Sequence, residues 1–111
     1  MDLVCRLTSL AGSPVLQVGG EIDLATMPLL RDQLSRAIAM HAGRTVYADL
    51  DGVTALDDTG LGCLLGCAGR AREQGGDLVL ICTSARLLER FALTGLDCAL
   101  TVQPGVALPR T

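Results

Sequence analysis

Apolar residues change their spacing several times along this chain, and each change marks an element. From Leu3 to Leu10 they alternate, with Leu3, Cys5 and Leu7 against Val4, Arg6 and Thr8, which predicts a strand. Ala11-Gly12-Ser13-Pro14 is a turn, and Val15 to Val18 returns as a second strand, so the two predict a hairpin. The period then shifts to three and four. Met27, Leu30, Leu34, Ala37, Ile38 and His41 predict a helix from about Thr26 to His41, with Thr26 at its N-cap, Pro28 in its first turn and Gly43 as its stop.

Thr45 to Leu50 reads as a third strand, followed by Asp51 to Leu56 as a loop or extended edge. A second helix runs from about Thr59 to Gln74 on the stripe Leu61, Leu64, Leu65 and Ala68. It carries Gly60, Gly62, Gly66 and Gly69, each costing about 1 kcal/mol against Ala, so tertiary packing must hold it, and close approach of its backbone to a sheet is the expected reason. Asp77 to Cys82 is a fourth strand, continuous in Leu78-Val79-Leu80-Ile81 and hence buried on both faces. Ser84 caps a third helix that Gly95 ends, with Leu87, Leu88, Phe91 and Ala92 inward, and Cys98 to Val102 is a short last strand. The order β-β-α-β-α-β-α-β, with short connections, predicts an α/β domain: a mixed, mostly parallel sheet with an N-terminal hairpin and three main helices. One domain over residues 1–111 is expected, with an ordered core at 3–102 and a tail at 103–111.

Composition narrows the function. The 111 residues are half hydrophobic, yet the only aromatics are Tyr47 and Phe91, so the core is aliphatic and aromatic platforms for single-stranded nucleic acid are lacking. Every basic residue is Arg, and the net charge is −3. Without a basic stripe, direct nucleic-acid binding is not expected. Without Lys, a P-loop, a Schiff base and a receiver-type phosphoacceptor site all lack a required residue. The cysteines, Cys5, Cys63, Cys67, Cys82 and Cys98, are odd in number with no C-x-x-C pair, and four sit among apolar neighbours; reduced core thiols are expected. A single His, His41, and unsuitable Cys spacing argue against zinc, so no metal and no cofactor are expected. The opening Met1-Asp2 lacks a signal-peptide pattern and no apolar run could span a membrane, so a cytoplasmic protein without membrane contact is expected.

The densest polar segment is Asp57-Asp58-Thr59-Gly60-Leu61-Gly62, after a strand and at a helix start. Taken alone it is readable as a capped helix, its acids favoured by the positive end of the helix. Asp58, in this reading, can cap first-turn amides. Asp57 and Asp58 could instead form a catalytic carboxylate pair or recruit Mg²⁺, though a lone Asp-Asp is a weak signal. A third reading is a Thr59 hydroxyl displayed to a protein kinase. Cys63 and Cys67, four apart on the same helix, share a face, with core packing favoured over redox sensing.

Four segments in order resemble the STAS domain family. Asp57-Asp58-Thr59-Gly60-Leu61-Gly62 resembles its Asp-Ser-Ser/Thr-Gly-Leu-Gly signature, and Gly20-Glu21-Ile22-Asp23 its Gly-Glu-Leu/Ile-Asp after the second strand. Val46-Tyr47-Ala48-Asp49-Leu50 resembles its central strand, and Leu93-Thr94-Gly95-Leu96 the end of its third helix. The resemblance covers nearly the whole chain. It implies a STAS-type fold and an anti-sigma factor antagonist rather than an enzyme. Such a protein, unphosphorylated, binds an anti-sigma factor that is also a serine/threonine kinase, and so releases a sigma factor. The family's phosphorylated residue matches Thr59, and a phosphatase would restore binding. By the same resemblance Glu21, Asp23, Asp57, Asp58, Gly60 and Leu61 are the expected partner-binding residues. Asp58 departs from the usual Ser and adds a fixed charge beside the acceptor. A scaffold that is never phosphorylated, or a small metal-dependent enzyme using Asp57 and Asp58, are the competing expectations.

Overall fold

A computed structural model describes residues 2–105. Strands β1 (Leu3–Leu10), β2 (Ser13–Ile22), β3 (Thr45–Leu56), β4 (Asp77–Ile81) and β5 (Thr101–Gln103) form one sheet in the order β1-β2-β3-β4-β5. Only β1 and β2 are antiparallel, in register from Leu3↔Gly20 to Leu10↔Ser13; the other neighbours are parallel. Helices α1 (Met27–Met40), α2 (Asp58–Glu73) and α3 (Ala85–Thr94) connect the parallel strands, with a short α4 (Leu96–Ala99) before β5. The expected α/β class, hairpin and three main helices are all present.

Parallel crossovers are right-handed, and here each successive strand is added on the same side. All helices therefore fall on one face of the sheet. Leu30 and Leu34 of α1, Leu64 of α2 and Phe91 of α3 share a single core with Leu16, Val46, Ala48, Leu78 and Leu80 from the strands. The alternate strand residues Val15, Tyr47, Val79 and Ile81 form a separate cluster on the other face. Strand β4 is buried on both faces, as its unbroken apolar run implies.

Three boundaries differ from expectation. Strand β2 continues past Val18 to Ile22; β3 runs on to Leu56, the extended one of the two alternatives expected for Asp51 to Leu56. Register shifts between Gln17 and Gly19, and again between Gly20 and Glu21, let the pair continue to Ile22↔Leu56. Backbones approach closely at this irregularity: a Cβ on Gly52 would lie 3.0 Å from the Val18 carbonyl oxygen, and Gly20 adopts φ 106°. Cys98 belongs to α4 and not to the last strand, because Gly95 in the left-handed region (φ 78°) ends α3 and Leu96 restarts a helical turn with its side chain buried. Gln103, expected in the tail, closes β5; the rest of that tail beyond residue 105 lies outside the described residues.

The glycines of α2 divide into two kinds. A Cβ on Gly60 would meet Ile22 Cγ2 and Leu56 Cδ1 at 2.5 Å each, so this one marks the close approach to the sheet. Gly62, Gly66 and Gly69 face open space, which corrects the expectation that all four were needed for packing. Opposite responses to alanine follow. Gly66→Ala should raise stability by about 0.5–1 kcal/mol, whereas Gly60→Ala should lower it by about 1–3 kcal/mol through overpacking. Urea unfolding midpoints of the two variants check both signs.

Candidate functional site

The long β2–β3 pair carries two turns to the same end of the sheet. Its last link is the Asp57 N–H, which donates to the Ile22 carbonyl at 3.1 Å. After β2, the Asp23 carboxylate accepts from the amides of Ala25 and Thr26, each at 3.0 Å. The Thr26 hydroxyl donates to the Glu21 carbonyl at 2.7 Å and accepts from the Asp23 amide at 3.0 Å. Thr26 is thus at the N-cap position of α1 without capping it by side chain; the hydroxyl ties the preceding turn instead. Glu21 and Asp23 are half-buried beside the α2 start, while Leu24 projects with 70% of its surface exposed.

After β3, Asp57 is the N-cap of α2. Its carboxylate accepts from the Gly60 amide at 3.1 Å and from the Thr59 hydroxyl at 2.6 Å. The Thr59 hydroxyl holds the Asp57 carboxyl below the usual carboxylate range, helped by the Gly60 and Thr59 amides and the Arg90 guanidinium, with burial opposing. Asp58, expected to cap the same amides, sits in the first turn with its side chain turned to solvent and ion-paired with Arg90 of α3 at 2.8 Å. An exposed pair of this kind contributes about 0–1 kcal/mol. The two neighbouring carboxylates therefore serve different partners and do not converge on a shared point. Among the described residues no group of three potential metal ligands comes together.

Of the expected site residues, Glu21, Asp23, Asp57, Asp58 and Thr59 are brought to one end of the domain. Gly60 and Leu61 are buried beneath it and hold the helix start against the sheet. Arg90 escaped the sequence reading because 32 residues separate it from Asp58 and no local pattern links them. Arg31 of α1 and Arg70 of α2 were missed as well. They line a cavity of about 390 Å³ between the two helices, together with Thr59, Cys63, Gly62 and Gly66. Amphipathic periodicity had placed Arg31 only on a wet face. No helix among the described residues is long and apolar enough to cross a membrane.

This sheet, with all its helices on one face and a hydroxyl at the start of the second helix, defines a small α/β domain with an open, mixed five-stranded sheet. A family model described as the STAS domain matches residues 7–108, and the chain belongs to that family. It is 36% identical to an anti-sigma-B factor antagonist of Bacillus subtilis over 81 residues, covering 73% of this chain and 72% of that protein. The structure is similar to an anti-sigma factor antagonist from Mycobacterium paratuberculosis, with a TM-score of 0.77, 26% identity and coverage of 95% of this chain and 88% of that one. It also shares its fold with the phosphorylated form of the Bacillus cell fate determinant SpoIIAA, at a TM-score of 0.65 and 22% identity, covering 89% of this chain and 90% of that one.

The lowered Asp57 pKa has a thermodynamic consequence. A carboxylate with a depressed folded pKa contributes stability that is fully present above the unfolded pKa of about 3.9 and is lost as pH falls through the folded pKa. Asp57→Asn keeps a capping oxygen but not the charge. The wild type should be the more stable at pH 7, and the difference should vanish in acid below the ordinary carboxylate range. Thermal melts of both proteins across pH 2–7 check this; a difference independent of pH removes the Asp57 charge from the account.

Proposed function

We propose that this chain is a cytoplasmic anti-sigma factor antagonist controlled by phosphorylation of Thr59. In its unphosphorylated form it binds an anti-sigma factor that is also a serine/threonine kinase, which frees a sigma factor. Phosphate transfer to Thr59 ends binding, and a phosphatase reverses it. The nucleotide belongs to the kinase, so this chain needs no cofactor of its own.

The observation that carries this reading is the Thr59 hydroxyl, half-buried at the α2 start and donating to the Asp57 carboxylate at 2.6 Å. Phosphorylation replaces that donor with a group of about −1.5 to −2 charge. The Asp57 carboxylate, which now accepts a hydrogen bond, would then face a dianion. A partner packed over Glu21, Asp23, Asp57 and Asp58 would meet both the repulsion and the desolvation cost of the phosphate. Exposed Leu24 supplies that surface with an apolar contact. The bonds made by Asp57 and Asp58 to Thr59 and Arg90 weigh against a metal-dependent enzyme built on the two acids.

Incubation with the cognate kinase and ATP, followed by intact mass and peptide mapping, tests the reading. One phosphate on Thr59 is expected, with none on Thr59→Ala, which still binds the partner. Phosphorylation of Thr59→Ala at the wild-type level overturns the assignment, and no phosphorylation of either protein with binding intact identifies a constitutive scaffold.

Asp58 gives a second test. Asp58→Ser removes a negative charge next to the acceptor and frees Arg90. Phosphorylation of Thr59 should become faster, while the affinity of the unphosphorylated protein for its partner stays level. A tenfold gain in affinity, about 1.4 kcal/mol, would instead mean that Asp58 already mimics the phosphorylated state.

A further inference from the structure

We propose that Arg31 of α1 is the counter-ion of a phosphate on Thr59. Once the hydroxyl is phosphorylated, the phosphate turns away from Asp57 into the cavity between α1 and α2, where the Arg31 guanidinium holds it. This inference rests on the reading of Thr59 given above and adds to it the group that receives the modified side chain.

The relative level of the two helices carries the argument. Strands β2, β3 and β4 are parallel, and α1 and α2 each return the chain between two of them, so the helices run side by side in the same direction. One contact fixes their register. The Arg70 guanidinium donates to the Cys67 sulfur of its own helix at 3.2 Å and to the Ser35 hydroxyl of α1 at 3.3 Å, which sets Ser35 level with Cys67. Counting back four residues on each helix puts Arg31 beside Cys63, and four more put Met27 beside Thr59. All four line the same cavity of about 390 Å³. A helical side chain leans toward the N-terminus of its helix. The Arg31 guanidinium is thereby carried from the Cys63 level toward the Thr59 level, across one turn of about 5.4 Å. Arg70 starts about 16 Å farther along the α2 axis than Thr59 and is held by Cys67 and Ser35, so it is out of reach.

Charge gives the direction of the movement. On one side of Thr59 stands the Asp57 carboxylate, 2.6 Å from its hydroxyl, with Asp58 beyond it and Glu21 and Asp23 on the turn after β2. These acids repel a dianion. On the other side lies the cavity, and no carboxylate lines it among the described residues. Arg36, Arg72 and Arg90 are ion-paired with Asp32, Asp77 and Asp58. Arg31 is exposed and makes no ion pair or side-chain hydrogen bond with a described residue, so its donors are available. A guanidinium offers a planar fork that meets two phosphate oxygens at once. Gly62 and Gly66 have open space where side chains would otherwise stand, which leaves room for the group.

The test installs phosphothreonine at position 59 during assembly of the full chain, without kinase or partner, and titrates the phosphate by phosphorus NMR from pH 4 to 9. A phosphate ester has its second pKa at about 6. A positive charge beside it favours the dianion and lowers that value, so removing the charge raises it. The other groups facing the phosphate are Asp57, Asp58 with its partner Arg90, Glu21, Asp23, Cys63 and Arg70; substitutions at Arg31 leave all of them in place. Arg31→Gln should raise the second pKa by about one unit. Arg31→Lys, which keeps the charge, should raise it by less than half as much, and Arg70→Gln should leave it nearly unchanged. Arg31 is exposed, so both of its substitutions keep the core intact, and circular dichroism checks folding. No rise in Arg31→Gln, an equal rise in Arg31→Lys, or an equal rise in Arg70→Gln overturns the proposal. Because no kinase is used, a null result at Arg31 leaves the kinase assignment standing. Failure of the cognate kinase to modify Thr59, with the Arg31 shift present, overturns only the reading of Thr59 as the switch.

Discussion

The packing of the Gly60 backbone against Ile22 and Leu56 sets the geometry at the end of the sheet that carries Asp57 and Thr59. A hydrogen atom at that position is the largest group the last pair of the β2–β3 ladder can accept, because a Cβ there would stand 2.5 Å from both side chains. The helix start is therefore pressed onto the sheet at the point where the parallel pair ends. The Asp57 amide then has the Ile22 carbonyl as its natural acceptor, and the carboxylate of Asp57 lies over the first-turn amides as a cap. Thr59 is presented outward as a result of the same contact. The irregular register of β2 against β3 is part of this arrangement, since a ladder ending at Val18 and Leu50 would leave the helix without its anchor.

Several polar groups at this end are bound to one another. Asp57 takes the Thr59 hydroxyl and the Gly60 amide, Asp58 takes Arg90, and Asp23 and Thr26 satisfy the turn after β2. Such an arrangement has a defined resting geometry, which a docking partner can recognise without ordering a loop first. It also makes the site sensitive to one added charge. Asp57 accepts from the Thr59 hydroxyl, and a phosphate on that oxygen would set like charge against the carboxylate.

Much of the fold was legible in the sequence because the burial pattern follows the sheet directly. Leu78-Val79-Leu80-Ile81 has no polar residue to turn outward, and β4 lies between two other strands with apolar clusters on both faces. Ser84 and Gly95 bracket α3 as local chemistry requires, by a side-chain cap and a left-handed residue. The continuation of β2 was not legible, because Gly19 and Gly20 signal a break by propensity, and only the facing strand shows that the register shifts there instead of ending. That Asp57, and not Asp58, caps the helix was not legible for a similar reason. Asp57 has extended backbone as the N-cap and Asp58 is the first helical residue, and which one meets Arg90 depends on where α3 packs.

The three open glycines of α2 separate what folding needs from what the surface carries. Helix α2 meets the sheet through Gly60, Leu61, Leu64, Cys67, Ala68 and Ala71. Gly62, Gly66 and Gly69 add nothing to that face and weaken the helix, each by about 0.8–1.0 kcal/mol relative to Ala. Burial on the opposite side must offset this loss, and Leu64, Cys67 and Ala68 are completely buried there. The absence of side chains at Gly62 and Gly66 leaves the floor of the α1–α2 cavity low enough for Thr59 and Cys63 to be reached from solvent, with Arg31 and Arg70 along its sides. Larger residues at these positions would improve helix propensity and close the approach to both. The stability given up on this face of α2 is thus tied to access, whereas Gly60, on the other face, is tied to the fold.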